Sequence, residues 1–469
     1  MKKIFLVFFA LPWLLIFTGC GDRSVAVVND AEFFNRSITG EITVHAYDNM
    51  LYQNYLEEMA RAFEAAYPGT KVNIETFSAM PEIRTTQPVE TEDGGSFVAS
   101  VMIPSDTPQG RLDYISRVNT QIMSGRGADI YAIDVIPLHR FIKSGALENL
   151  DNYMNLDPDF KKSEYRQNVI EALRYRDGIW FMPTGYYFSY YAYDPTLIPE
   201  RMASGFGINQ LYRLEDIVNI AIPLYDGNNR MFYSDMFNVL LSENYRSFVN
   251  YETERANFLD GNFTTLLNKY KNYLDRGYIR SLEQMATDDI VRMLMEFRSE
   301  KIFFRLYGIT SLFYTFLGFM ENEKIAGIQS NEDGSVMFEY DRGFGINSQS
   351  RNKETAWAFI KFLLSKEMQL SMNVYNLPIN NEARLEKAMQ TEFILGNPYN
   401  MLSAQERQDL DDYIAAIESI SDMINSYDIR DSSLNDMITQ EIEYFFSGAR
   451  TADEVARILQ NKADLYLSE

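Results

Sequence analysis

Between Glu41 and Phe77 the hydrophobic pattern changes period twice within forty residues or so, and this stretch constrains the fold more than any other. Ile42, Val44 and Ala46 alternate with polar neighbours as in a strand, and Tyr47-Asp48-Asn49 supplies a turn and a helix N-cap. Tyr52, Tyr55, Leu56, Met59, Phe63, Ala66 and Tyr67 then fall on one helical stripe, which Pro68-Gly69 ends. Lys71 to Phe77 reads as a second strand with Val72 and Ile74 inward. Strand, helix and strand in such close succession form a right-handed βαβ unit, which commits the chain to an α/β fold with a parallel sheet covered by helices.

The pattern continues with one interruption. Residues 78 to 110 carry Pro, Gly, Thr and acidic residues and read as an irregular excursion or an extra hairpin. Leu112 to Ser124 is helical, Gly125-Arg126-Gly127 is a turn, and Ala128 to Val135 is a third strand. A helix from Pro137 to Lys143 follows and stops at Gly145. From Asp177 to Asp194 the chain is extended and aromatic. After Pro195 helices dominate, with short strands expected over Met231 to Phe237, Lys301 to Tyr307 and Asp341 to Ile346. Residues 382 to 469 read as almost wholly helical, and Thr451 with Glu454 forms a capping box for a last helix that presents Val455, Ile458, Leu459 and Tyr466 on one face.

Composition removes several classes of function. The net charge of −23, with no long basic run, repels a phosphate backbone and argues against nucleic acid as a partner. His45 and His139 are the only histidines and Cys20 the only cysteine, so a metal site built on imidazole or thiolate cannot be assembled. No metal and no cofactor is expected. The 66 Asp and Glu residues leave carboxylate chemistry open, but no G-x-S-x-G nucleophile elbow is present.

Cys20 has another use. Lys2 and Lys3 precede an apolar run from Ile4 to Phe17, then Thr18-Gly19-Cys20. The run is short of the roughly 20 residues that span a bilayer, and it fits an export signal. Residues 1–20 resemble a bacterial lipoprotein signal peptide, in which the cysteine is diacylated and becomes the mature N-terminus; Phe17 stands where that pattern usually has Leu, Val or Ile. The resemblance implies a body anchored by lipid to the outer face of the cytoplasmic membrane or in the periplasm, with residues 21–40 as a polar tether.

Several segments together resemble the family 1 extracellular solute-binding proteins, the group that includes maltodextrin-binding protein. They are Ile42 to Pro68, Ser124-Gly125 with Ala128-Asp129-Ile130, and Ser144-Gly145-Ala146-Leu147. Further along stand Asp177-Gly178, Met182-Pro183, Tyr193-Asp194, Phe344-Gly345-Ile346-Asn347, Asn352 to Trp357 and Leu377-Pro378-Ile379-Asn380. The resemblance implies a periplasmic-binding-protein-like type II fold: two α/β lobes with a ligand cleft between them and a helical C-terminus. Strands would cross between lobes near Tyr186 to Tyr191, Asp341 to Phe344 and Leu377 to Asn380. One lobe then takes residues 41–187 with 342–376, and the other 188–341 with 377–469. The longer link at 78 to 110 and Glu300, where a Gly often stands, depart from the pattern.

In an open parallel sheet, ligands lie outside the carboxyl ends of the strands. That rule nominates Tyr47, Asp48 and Asn49 after the first strand and Asp134 after the third, with Asp48 serving either ligand hydroxyls or only the helix N-cap. The resemblance adds Tyr186, Tyr187, Tyr233, Asp235, Arg305 and Tyr307 as cleft residues, the tyrosines to stack on sugar rings and the charged groups to bond hydroxyls. Each tyrosine has an alternative as a core residue, and the guanidinium of Arg305, in an apolar segment, wants either a ligand oxygen or a neighbouring carboxylate. His45, inside a strand, reads as a buried structural histidine, and His139 as a surface residue.

The function implied is that of a monomeric lipoprotein without enzymatic chemistry, capturing a small polar solute, a sugar or oligosaccharide, for the permease of an ABC transporter. Two other readings stand beside it: a surface receptor feeding a sensor or protein partner, and an extracellular hydrolase working through two carboxylates.

Overall fold

The computed structural model describes residues 37–47, 50–77, 82–85, 89–90, 96–97, 100–103, 107–227, 231–232, 236–279, 302–309, 323–371, 374, 376–389 and 403–468. The expected signal peptide, Cys20 and most of the tether lie outside these residues, as do Asp48, Asn49, Tyr233 and Asp235.

The opening βαβ unit forms as the periodicity requires. Strand β1 (Gly40–Tyr47), helix α1 (Met50–Ala66) and strand β2 (Thr70–Phe77) follow one another, and β1 and β2 pair in parallel from Gly40 opposite Thr70 to Tyr47 opposite Phe77. Tyr55, Leu56, Met59 and Phe63 are buried on the α1 stripe, whereas Ala66 and Tyr67 at its end stay exposed. The excursion after β2 contains a hairpin: β3 (Glu82–Thr85) pairs antiparallel with β4 (Ser100–Ile103), and Val89–Glu90 pairs with Ser96–Phe97 inside it. Helix α2 (Pro108–Met123) starts four residues before the expected position, because Thr107 caps it and Pro108 stands where no backbone N–H is needed.

Strand β5 (Ile130–Ala132) is shorter than the sequence suggests and runs parallel to β1. Helix α3 (Leu138–Lys143) follows it, and the chain returns through β6 (Met182–Tyr193), the longest strand among the described residues. Then come β7 (Leu211–Tyr212), α4 (Leu214–Ala221), α5 (Phe237–Phe248), β8 (Phe304–Ile309), β9 (Lys324–Gln329) and β10 (Val336–Ile346). The chain continues through α6 (Lys353–Leu363), β11 (Leu377–Pro378), α7 (Ala404–Ser421), β12 (Ile424–Tyr427), α8 (Ser432–Phe446) and α9 (Ala452–Ser468). Among the described residues one sheet holds ten strands, its main path running β2-β1-β5-β10-β6-β9-β7. Strand β6 changes partners along its length. Its first half pairs antiparallel with β10 and β11, and its second half with β8 and β9.

Two hydrophobic cores result among the described residues. The first gathers β1, α1, β5, α6 and the first half of β6; the second gathers α4, α5, α8 and α9. Past its midpoint β6 has a face in each: Tyr190 and Ala192 belong to the first core, Tyr191 and Tyr193 to the second. This explains the aromatic run, since a strand covered on both faces has no solvent side to alternate toward.

Two expectations are corrected. Met231 and Phe232 are buried but outside any strand, and Phe237 opens α5 instead. The C-terminal segment contains a strand, β12, held in parallel register beside β10. Ile414, Ile417 and Ile420 of α7, with Ile424 and Tyr427 of β12, pack in the first core. Polar bonds hold them there: Arg166 donates to Glu418 O at 2.7 Å, Asn168 to Ser421 O at 2.6 Å, and Arg384 to Glu418 Oε1 at 2.6 Å.

A buried carboxylate in the second core carries a pH prediction. Glu243 on α5 accepts from Leu214 N at the start of α4 at 3.0 Å, from Tyr191 Oη at 3.0 Å and from Gln329 Nε2 at 3.2 Å. Burial nevertheless pushes its pKa up to about 8, the hydrogen bonds opposing that shift. Between about pH 4.5 and pH 8 the folded protein holds a proton that the unfolded chain has released. The contribution of Glu243 to stability is therefore complete at the acid end and lost as pH rises, by about 1 kcal/mol per pH unit across that window. Glu243→Gln is expected to flatten this slope in urea unfolding curves recorded from pH 5 to 9. Parallel pH profiles for the two proteins would remove Glu243 as its cause.

Candidate functional site

A cavity of about 500 Å³ lies between the two cores, lined from the first by Ile133, Asp134, Tyr340 and Tyr427 and from the second by Val249 and Tyr251. Asp134 lies two residues past β5, where the strand's carboxyl end opens, and accepts from Gly343 N at 3.2 Å. Gly343 must be glycine for packing reasons: a Cβ there would stand 2.8 Å from Phe181 Cδ2 and 2.9 Å from Ile133 Cγ1. The close passage of β10 over Ile133 thus sets the position of Asp134.

The opposite wall is the loop Asp428 to Ser432, which joins β12 to α8. Arg430 forks onto Asp428, with Nε 3.0 Å from Oδ1 and Nη2 2.6 Å from Oδ2. Burial works against the charge on Arg430, but Asp428 and Glu339 outweigh it and raise its pKa. Asp431 caps α8, accepting on Oδ1 from Ser433 N at 2.9 Å, Leu434 N at 3.1 Å and Tyr466 Oη at 2.7 Å. Its pKa is raised by burial, against the pull of those bonds. Arg246 Nη2 donates to Ser426 Oγ at 2.8 Å, and Arg174 Nη2 binds Glu171 at 2.9 Å. The cavity therefore offers carboxylates, guanidinium groups already engaged with protein oxygens, and tyrosine rings.

His139 corrects the expectation of a surface residue: it is 8 % exposed and lines the cavity. Helix α3 is covered on opposite sides, Phe141 and Ile142 packing in the first core while His139 lies 4.5 Å from the Tyr251 ring and 5.9 Å from that of Tyr466. Burial, helped by the positive charge of Arg140, pushes its pKa down to about 4. Around it α3 meets the second core repeatedly. Arg140 lies 3.8 Å over the Tyr466 ring and donates to Tyr466 O, and Lys143 pairs with Glu254 at 2.9 Å. Nearby, Arg111 on α2 reaches both oxygens of Asp436 on α8 at 2.6 Å.

The other nominated residues among those described are dispersed. Tyr47 lines a separate recess of about 710 Å³ with Glu75, Phe77, Tyr114 and Arg117, at the carboxyl ends of β1 and β2. Tyr186 is fully buried in the first core. Tyr187 donates to Glu339 Oε2 at 2.7 Å, and Tyr307 packs on Tyr190 at 5.7 Å. Arg305 takes a carboxylate partner, Glu323. His45 is buried as expected, with Nε2 2.9 Å from Glu75. The loop Asp428 to Ser432 was missed in the sequence because β12 was read as helix; once β12 is known, its carboxyl end points to the loop by the rule that found Asp134.

A mixed sheet flanked by helices, two cores joined through one long strand and a polar cavity between them define the architecture of the periplasmic binding proteins. Residues 106–395, more than half of the chain, match the family model described as bacterial extracellular solute-binding protein, and the chain belongs to that family. Among solved structures it is similar to the sugar-binding protein MalE of Xanthomonas citri, with 14% identity, a TM-score of 0.58, and coverage of 91% of this chain and 97% of that one. An ABC substrate-binding protein of Listeria monocytogenes, solved in complex with cycloalternan, gives 18% identity, a TM-score of 0.56, and coverage of 92% and 99%. A family 1 extracellular solute-binding protein of Alicyclobacillus acidocaldarius gives 13% identity, a TM-score of 0.57, and coverage of 92% and 100%. At these identities the likeness is one of fold. No curated protein sequence matches the chain.

Proposed function

We propose that the protein captures a sugar or oligosaccharide in the 500 Å³ cavity and hands it unchanged to the permease of an ABC transporter, held at the membrane by a lipid on Cys20. The observation that carries this reading is the cavity's position and lining, with acidic and tyrosine side chains from both cores converging on one polar space. Hydroxyl groups suit such a lining, since each can donate to a carboxylate while the ring face lies on a tyrosine. The sugar-binding name of the Xanthomonas citri protein and the cycloalternan bound by that of Listeria monocytogenes point the same way. We take the two cores as two lobes, α7 and β12 going with the first. A ligand touching both shifts an open and closed equilibrium by its differential affinity for the two forms.

A thermal-shift screen of the full-length protein in mild detergent tests the reading against maltotriose, cellotriose, xylotriose, raffinose, amino acids, peptides and polyamines. A sugar at 100 times its Kd should stabilise by about 2.7 kcal/mol, and Asp134→Ala should abolish that response. Response only to another class would overturn the sugar assignment, and response to none would favour a sensor or protein partner.

A further inference from the structure

We propose that His139 and Asp431 together grip one hydroxyl group of the solute, His139 Nδ1 donating to its oxygen and Asp431 Oδ2 accepting its hydrogen. This rests on the cavity being the solute site. The two side chains come from opposite sides of it, His139 from α3 on the first core and Asp431 from the cap of α8 on the second. They are 8 % and 7 % exposed, and both line the cavity.

Their facing atoms are left over from otherwise committed groups. Asp431 Oδ1 takes three hydrogen bonds, whereas Oδ2 has no hydrogen-bond partner among the described residues. His139 Nδ1 lies 3.7 Å from that oxygen, too far for a hydrogen bond, and Nε2 also lacks a partner among the described residues. The carboxylate favours the tautomer with its proton on Nδ1. One oxygen about 2.8 Å from each atom bridges a gap of this width, and because Oδ2 is closed to solvent in this structure its entry requires the two side chains to part first.

Only a group that both accepts and donates satisfies the two at once, and a hydroxyl does so. An ammonium group would meet a competing donor in His139, and a carboxylate would meet like charge in Asp431. The pair therefore selects polyols over amines and acids. Because its halves sit on different cores, it also gives the ligand a contact that exists only when the cores are together.

The chain's two histidines make the test direct. Imidazole nitrogen resonances of the full-length protein, labelled with nitrogen-15, are recorded with and without each of the four oligosaccharides, while calorimetry measures binding to the unaltered protein and to His139→Phe. The Phe ring keeps the packing on Tyr251 and Tyr466, and a melt without ligand checks its fold. For a sugar that binds, the His139 signals are expected to move while those of His45 stay, and His139→Phe to weaken binding about tenfold or more. Binding with silent His139 signals, or equal affinity for a folded His139→Phe, would overturn this inference and leave the cavity reading intact. Binding of none of the sugars would overturn both.

Discussion

Trp357→Ala is expected to destabilise the first core by about 3–5 kcal/mol, the range for emptying a large buried aromatic site. Trp357 is 1 % exposed on α6 and packs between Tyr153 and Phe160, with ring centroids 5.4 Å away in each case. It has a polar duty as well. Its indole Nε1 donates at 2.7 Å to Asp157 Oδ2, which also meets Lys361 Nζ at 2.5 Å, and Asp157 is itself buried. Alanine removes the ring and a donor to a buried carboxylate together. Trp357→Phe keeps most of the packing and loses the donor, so it should cost less, about 1.5–3 kcal/mol. Urea unfolding followed by circular dichroism measures both. Because the molecule has two cores, separate transitions are to be fitted separately, with the loss assigned to the first. A loss below about 1 kcal/mol for Trp357→Ala would mean that the surroundings collapse into the vacated space.

Arg430→Met is expected to cost about 2–4 kcal/mol, because it strands a partly buried carboxylate instead of removing a pair. Arg430 and Asp428 are 17% and 14% exposed in their side chains, so solvent screens them little. The guanidinium also faces Glu339, whose pKa burial already pushes up, with Asp428 adding to that effect. Losing Arg430 raises it further. Asp428→Asn combined with Arg430→Met should recover much of the loss, giving a large coupling energy in a double-mutant cycle. The same loop walls the cavity, so under the proposed function the single variant is expected to lose the thermal response to sugar as well. Additive single effects would show that the two side chains act independently.

How far sequence reasoning reached follows from the range of the forces involved. The opening βαβ unit and the Thr451 and Glu454 capping box depend on neighbours a few residues apart, and both stand where the pattern placed them. Asp134 could be nominated because periodicity places a strand there, although β5 ends at Ala132, three residues before the end read from the sequence. Strand β12 could not, since four residues between two helices carry too little periodicity, and its register comes from β10 some ninety positions earlier in the chain. Arg305 shows the same limit. Its need for a partner was legible, but only the tertiary structure shows Glu323 as that partner.

Sequence by itself determined the α/β class, the reliance on packed cores without disulfides and the residue chemistry available to a site, because periodicity and composition are local or summed properties. Tertiary structure decided which side chains share the cavity. Asp134, His139, Tyr251, Arg430 and Asp431 span about three hundred residues and meet only after β6 has been divided between two cores and α3 packed between them. The same packing separates candidates near one another in sequence: Tyr186 goes into a core and Tyr187 onto Glu339, because adjacent residues of a strand point to opposite faces.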